Sequence, residues 1–473
     1  MDTVAAEKGA PRKSLSAKQK IPQYYAALVV TIACLSAGNA TGWTSPVLPR
    51  LQGEGGSLEP LDLPLTGDES SWVSSLLTMG AIFGPILGGI CVDRFGRKIS
   101  LITLAGAPSV LGWIITLVAT GTGALYAARI FIGISVSASL TLGPAYIAEM
   151  SSPSERGTLC SFPQLMISIG IMLQFVIGPY SSYYALSGVD LVFPIIFMIG
   201  TFFLPESPYY LLARGDDAEA ETALKWFRGG SPDVSLELEI MSEAVEESGI
   251  RDSNFLEAMK NVFETRGNRR AIVISSGLMF FQQFCGINAV LFNAEEILKG
   301  SSGLDASTGA MVVGAVQIVA SWCTTVLVDR AGRRPLLILS CLLASISLFA
   351  LGAHAYLDKH GQAADLGWLP VTALVVYIVF YCLGLGPLPW VVLSELFPSK
   401  AKSAASMLAG SFCWLLAFVV TRTFRPIWDA AELYGVYWLY ACCTLLGVVF
   451  VYLLQPETKC KSLEQIQKEL EGN

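Results

Sequence analysis

The sequence predicts an all-α membrane protein with twelve transmembrane helices in two pseudo-symmetric six-helix bundles. Three observations predict it. The 473 residues are 53% hydrophobic and only 15% charged, with a mean hydropathy of +0.55, whereas soluble chains carry roughly 25% charged residues. Twelve apolar runs recur, each near the ~20 residues that cross a bilayer as a helix. A charged block also repeats: Asp93-Arg94-Phe95-Gly96-Arg97-Lys98 returns as Asp329-Arg330-Ala331-Gly332-Arg333-Arg334.

Spans 1 to 6 are expected near 24–46, 71–92, 99–120, 124–148, 158–179 and 189–204. Spans 7 to 12 are expected near 271–293, 307–328, 335–357, 369–394, 403–424 and 434–454. The division is a tail, 1–23; a first bundle, 24–204; a polar linker, 205–270; a second bundle, 271–455; and a tail, 456–473. The first 23 residues contain no apolar core of a signal peptide, so the first run is expected to insert and stay. In the linker, residues 218–228 and 236–248 read as short amphipathic helices on solvated faces. The outer loop 50–69 is rich in Gly and Pro.

With the N-terminus in the cytoplasm, 25 Lys and Arg fall on the inner side and five on the outer side. That asymmetry places both tails inside. A multi-pass plasma-membrane protein is expected. The net charge of −7 comes mostly from the loops and points to no nucleic-acid partner. Two histidines are too few for a histidine metal cage. The 11 cysteines include no C-x-x-C pair and fall mostly in apolar runs, as small buried residues do. No metal, cofactor or obligate protein partner is expected; the bilayer and a small solute are.

The repeat extends beyond the charged turns. Glu149 with Arg156 returns as Glu395 with Lys402, and Pro205-Glu206-Ser207 as Pro456-Glu457-Thr458. Two bundles with matching signatures suit a carrier that rocks about a central site. Each glycine permits a tight turn, and the arginine fork suits a carboxylate. Asp93, Arg94, Arg97, Arg156, Asp329, Arg330, Arg333 and Arg334 are therefore read as a cytoplasmic network with Glu149, Glu206, Glu395 and Glu457. The expectation is that these pairs close the inner side and break as it opens, a two-state element.

Uncharged amides gather at mid-membrane. Span 7 holds Gln282, Gln283 and Asn288, and a break near Gly286 brings them together; span 5 adds Gln164 and Gln174, and span 8 adds Gln317. An amide offers donors and an acceptor without charge, which suits a polyhydroxylated solute. In lipid it needs a partner or a watery cavity. Span 10 reads Gly384-Leu385-Gly386-Pro387-Leu388-Pro389-Trp390, a break tolerated only where backbone lines a cavity. Gly386, Pro387 and Pro389 are read as a gate. Trp390, and Trp414 in span 11, offer aromatic faces to a sugar. No Asp or Glu is placed mid-membrane in the first six spans, which favours movement down a gradient over proton coupling. Glu295 and Glu296, near the outer end of span 7, are the exception to watch. A membrane enzyme would need a nucleophile–base pair or metal cluster at depth, and none is found.

At these residues the chain resembles the sugar-porter branch of the major facilitator superfamily, from about residue 24 to 465. The motifs are the two D-R-x-G-R blocks, Pro205-Glu206-Ser207-Pro208, Gln282-Gln283 with Gly286-Ile287-Asn288, Gly386-Pro387-Leu388-Pro389-Trp390 and Pro456-Glu457-Thr458-Lys459. Within that branch Leu278-Met279-Phe280-Phe281 and Gly367-Trp368 look most like insect facilitated trehalose transporters. The resemblance implies the major facilitator fold and facilitative uniport of trehalose or a hexose. It implies that Gln164, Gln282, Gln283, Asn288, Gln317 and Trp390 face the sugar, with Ile167 and Ile171 as the apolar wall and Phe292 as an aromatic gate. It departs from the glucose carriers at Cys382, Gln317 and Cys413, where they have Glu, Asn and Asn. It departs again at Asn293, in place of a second gate aromatic, at Pro163, and at Ala40, where proton-coupled relatives have Asp. The alternatives are a proton-coupled symporter and a sugar sensor on the same fold, the latter expected to carry a long cytoplasmic tail.

Overall fold

The computed structural model describes residues 16–53, 61, 64–230, 234–248, 260, 262–298, 305–363, 366–459, 461 and 463–471. The described residues contain helices and no strand. The first bundle has span 1 at Ala17–Leu51, span 2 at Gly67–Phe95, span 3 at Arg97–Val118, span 4 at Thr122–Met150, span 5 at Arg156–Tyr180 and span 6 at Tyr183–Phe202. In the second, span 7 runs Arg266–Phe292, span 8 Ala306–Ala331, span 9 Arg333–Lys359 and span 10 Leu369–Leu396. The last helix, Ser399–Leu454, has 56 residues, about 80 Å if straight, far beyond a bilayer core of roughly 30 Å. It breaks at Glu432, with φ 60° and ψ 170°, and so supplies spans 11 and 12.

Helices pack closely where small residues face each other. A side chain at Gly38 of span 1 would strike the backbone of Ile167 in span 5, and one at Gly170 of span 5 would strike Leu35. Large side chains instead face outward: Val118, Phe202 and Leu453 are 67–70% exposed, as a lipid-facing surface requires. Beneath the first bundle, helices Pro208–Arg214, Asp217–Phe227 and Ser235–Ser248 form a small core of their own around Leu212, Leu224 and Val245. Arg228 ties it upward, donating to the Met150 carbonyl at 2.9 Å and pairing with Glu237 at 2.6 Å.

The repeated charges build the same device twice. Gly96 and Gly332 both have φ 89°, a left-handed value that favours glycine. A Cβ on either would collide with a carboxylate, Glu206 or Glu457. Glu206 accepts from the backbone N–H of Arg97 and Lys98 at 3.0 and 3.1 Å; Glu457 does so from Arg333 and Arg334 at the same distances. The guanidinium of Arg97 pairs with Glu149 at 2.9 Å, and that of Arg333 with Glu395 at 3.0 Å. Ser207 and Thr458 donate to these same two glutamates. A carboxylate at a helix start satisfies orphaned N–H groups and the positive end of the helix dipole.

Each device lies inside one bundle and is intact in this structure. The pairs therefore brace each bundle from within. Two arginines also stand outside the pairs. Arg94 stacks on Phe95 and Arg334 on Tyr452, 5.5 and 5.4 Å from the ring centres. Arg156 reaches the Ser151 carbonyl at 3.5 Å, and Asp93 is exposed within electrostatic reach of Arg97. The side chains of Asp329 and Arg330 lie outside the described residues.

The two glutamates under the turns differ in charge balance. Burial pushes the Glu206 carboxyl above its ordinary range, against the pull of the Ser207, Lys98 and Arg97 N–H groups. Burial acts on Glu457 too, but the N–H groups of Lys459, Arg333, Arg334 and Thr458 outweigh it and hold that carboxyl below its ordinary range. With a depressed value, Glu457 stabilises the fold above its unfolded pKa of about 4.3, and that support is lost as pH falls through the folded value. With a raised value, Glu206 contributes stability below its unfolded pKa, lost as pH rises through the folded value.

Two outcomes are expected. Gly96→Ala and Gly332→Ala should each destabilise the detergent-solubilised protein by about 1–3 kcal/mol through backbone strain alone. Gly121→Ala, which meets nothing within 4 Å, should leave the melting temperature unchanged; equal shifts would remove the strain argument. At pH 7, Glu457→Gln should lower the melting temperature by on the order of 5 °C and Glu206→Gln by less. The difference should shrink towards pH 4.

Candidate functional site

Spans 7 and 10 are both broken, and the breaks meet. Span 7 stops at Phe284, turns through Gly286 at φ 84° and resumes at Ile287. Span 10 stops at Phe380, passes through a wide turn at Tyr381–Leu385 and resumes at Leu388. Gln282 Nε2 donates to the carbonyls of Leu385 and Gly386 at 2.9 and 2.6 Å. Tyr377 Oη returns the favour, donating to the Cys285 carbonyl at 2.8 Å. Pro387 and Pro389 start the second half of span 10, where their missing N–H groups cost nothing.

From this crossing the amides run in a chain. Asn288 Nδ2 donates to Gln283 Oε1 at 2.7 Å, Gln283 Nε2 reaches Cys413 Sγ at 3.1 Å, and that thiol lies 3.5 Å from Gln282 Oε1. Gln317, in span 8, is 4% exposed, and its Oε1 is buried without a partner, an acceptor turned towards an interior that needs a donor. Gln164 is exposed in the half of span 5 nearer the charged turns. Trp390 is 40% exposed and its ring lies near Gly410 and Pro85, where spans 2 and 11 meet.

The seam between the bundles is interlocked. Ile171 and Phe175 of span 5 enter the core of the second bundle, with Ile167 packed beside them. Phe292, 1% exposed, enters the core of the first, with Trp414 against the same cluster. Across the seam Ser168 and Ser321 hydroxyls lie 3.1 Å apart, and Thr78 and Thr421 3.2 Å apart.

The side of the seam away from the charged turns is shut. Arg422 pairs with Asp68 at 2.6 Å and lies over Trp72, 4.7 Å from the ring centre. Under this latch Ser70, Ser74, Phe292, Asn293 and Thr421 line a cleft of only about 20 Å³, room for little more than one water. A sugar cannot pass there, while Gln164 and Trp390 remain accessible further in. The latch was not legible in the sequence: 354 residues separate its charges, and neither forms part of a motif.

Two expectations about charge and amides need correction. Span 6 starts at Tyr183, not 189, which carries Asp190 inside the bundle at 0% exposure. A carboxylate is thus present in the first six spans. Its Oδ1 accepts from Gln174 Nε2 at 2.7 Å, and Arg129, also buried, lies in electrostatic reach. Gln174 is therefore committed to Asp190 and is withdrawn from the sugar-facing set. Arg129 itself donates to the carbonyls of Val73 and Ala40, joining spans 1, 2, 4 and 6. The side chains of Glu295 and Glu296 lie outside the described residues.

Residues 36–470 match the family described as "Sugar (and other) transporter". The chain is 34% identical to the facilitated trehalose transporter Tret1 of Bombyx mori over 98% of its own length and 90% of the relative's. It is 35% identical to that of Aedes aegypti, but spans only 55% of that relative. In several relatives the chain thus covers about half the length. Among solved structures, the proton:xylose symporter XylE bound to 6-bromo-6-deoxy-D-glucose superposes with a TM-score of 0.76 at 26% identity, covering 96% of this chain and all of that one. The partially occluded inward-open conformation of XylE from E. coli gives 0.75 at 27% identity, over 93% and 99%. Broken amide-bearing spans, twin charged turns and twelve helices in two bundles thus coincide with a family match over nearly the whole chain, and this protein belongs to the sugar transporter family of the major facilitator fold.

Proposed function

We propose that this protein is a facilitative carrier that moves a sugar, trehalose or a hexose, across the plasma membrane by alternating access, with both termini cytoplasmic. The observation that carries the reading is the chain of uncharged amides from Asn288 to Gln282, set where two broken helices meet at the seam of the bundles. Such groups bind hydroxyls without demanding an ion. The relatives named as facilitated trehalose transporters favour the disaccharide. The rocking units are 24–204 and 271–455, joined by the linker 205–270. Gln164, Gln282, Gln283, Asn288 and Gln317 hold the hydroxyls, Trp390 and Trp414 the sugar's C–H face, and Ile167 and Ile171 the apolar wall. Phe292 and Asn293 form the outer gate and the Gly386–Pro387–Pro389 break the inner one. Millimolar affinity, about −4 kcal/mol, needs only a few such contacts and allows quick release. Asp190, sealed and bonded to Gln174, stands off the path and need not exchange a proton with it.

Uptake of labelled trehalose and glucose into oocytes tests this. Saturable uptake is expected, unaffected by an uncoupler and flat between about pH 5.5 and 7.5, a range above unperturbed carboxylate values; strong acid stimulation would favour the symporter. Gln282→Ala and Trp390→Ala should each cut uptake about tenfold or more at unchanged surface amount. Arg422→Ala should loosen the outer latch. Labelling of an Asn293→Cys variant by an impermeant thiol reagent should then rise by on the order of tenfold.

A further inference from the structure

Away from the sugar path, a second concavity opens on the second bundle, at the end that carries the charged turns. It is a groove of about 570 Å³ bounded by the first turns of spans 7 and 9, the end of span 12 and the terminal helix Leu463–Glu471. Three guanidinium groups line it: Arg269, Arg270 and Arg334. Arg270 keeps one nitrogen on the Leu470 carbonyl at 2.7 Å. Arg334 rests on the Tyr452 ring and donates from Nη2 to the Tyr452 carbonyl, while its Nε is buried without a partner. Arg269 is exposed, with no ion-pair partner among the described residues. Glu471 lies by Gly267, at the start of span 7; the two acids closer to the arginines are engaged. Glu469, on the rim, pairs with Lys461 at 2.6 Å, and Glu457 is held by backbone N–H groups. The groove is therefore electropositive.

Its other wall is apolar and faces outward. Val273, Leu453 and Leu454 line it at 58%, 70% and 49% exposure. Val273 lies four residues beyond Arg269, on the same helix face. A cationic floor beside an apolar lip matches an anionic headgroup with its acyl chains attached. A free phosphate would use the floor and gain nothing from the lip. We propose that this groove seats one anionic phospholipid of the leaflet on the side of the charged turns, its phosphate on Arg269, Arg270 and Arg334 and its chains along Val273, Leu453 and Leu454. The proposal rests on the membrane-spanning reading, which recovery of the chain in the membrane fraction tests separately. Basic pockets at helix ends are suited to such headgroups. Occupancy would tie span 7, which carries Gln282 and Gln283, to span 12 and the terminal helix.

The test is native mass spectrometry of the full chain with phosphatidylserine or phosphatidylcholine. Retention of one phosphatidylserine in preference to phosphatidylcholine is expected. Arg269→Gln with Arg270→Gln should weaken it on the order of thirtyfold, the effect of two basic side chains at an anionic surface. Unchanged retention in the variant overturns the proposal, as does full displacement by millimolar inorganic phosphate, which would make this a free-anion site. Because Arg270 also holds the terminal helix, the unaltered protein provides a second measurement. Phosphatidylserine with a photoreactive acyl chain should label Val273, Leu453 or Leu454; labelling confined to other spans overturns the proposal.

Discussion

The bond from the Gln282 amide to the carbonyls of Leu385 and Gly386 is what allows two spans to be broken at the same depth. A bilayer core contains no water to satisfy freed backbone groups, and each one left unpaired costs several kcal/mol. The wide turn in span 10 frees such groups, and side chains from other spans must take them. Gln282 takes two carbonyls, and Ser340 accepts from the Leu385 N–H at 3.0 Å. Tyr377 covers the matching gap in span 7. The site is thus scaffold and recognition surface at once. That explains why its polar groups are amides: one end can hold backbone while the other stays available to a solute.

Rigid bundles and a lightly bonded seam follow from the way charge is distributed. The strong, charge-assisted bonds lie inside each bundle, at Arg97–Glu149 and Arg333–Glu395. Across the seam the polar contacts include the hydroxyl pairs Ser168–Ser321 and Thr78–Thr421, each worth about 1 kcal/mol net. The outer latch adds one ion pair whose Asp68 side chain is 65% exposed, worth about 0–1 kcal/mol, and a cation–π contact of similar size. No single polar contact at the seam is strong enough to lock this state. Bundles that keep their own shape while the seam exchanges weak bonds are what alternating access requires.

Much of this was legible in the sequence because it depends on local chemistry. The glycine at each charged turn, the break at Gly286 and the proline-rich end of span 10 all concern one stretch of backbone. The two bundles were legible because the same turn occurs twice. What escaped depends on depth or on distant partners. Asp190 was placed at a helix end because the apolar run begins at 189, while the helix starts a turn and a half earlier, on polar and aromatic residues. Gln174 looked like a solute ligand until its partner was in place. Arg94 and Arg334 share a motif with Arg97 and Arg333, but among the described arginines of the turns Arg97 and Arg333 point towards a glutamate. Arg94 and Arg334 stack on aromatic rings, and spacing does not distinguish the two fates.

Cys413 shows how a departure from the glucose-carrier pattern could act. Its sulfur holds the Gln283 amide at 3.1 Å, and sulfur is a weak acceptor. An oxygen acceptor would hold that amide more firmly. With a thiol there, the Gln283 amide can exchange partners at little cost, as the proposed carrier requires, while Asn288 keeps its other end in place at 2.7 Å. Cys382 acts by subtraction: it puts a small neutral group where the glucose carriers have an acid, and Thr324 binds only its backbone carbonyl. Both changes put neutral groups into the second bundle's interior, where Gln317 also keeps a buried oxygen that lacks a donor. Under the proposed function, neutral groups of this kind would discriminate by hydroxyl placement and room rather than by charge, which suits a disaccharide at least as well as a hexose.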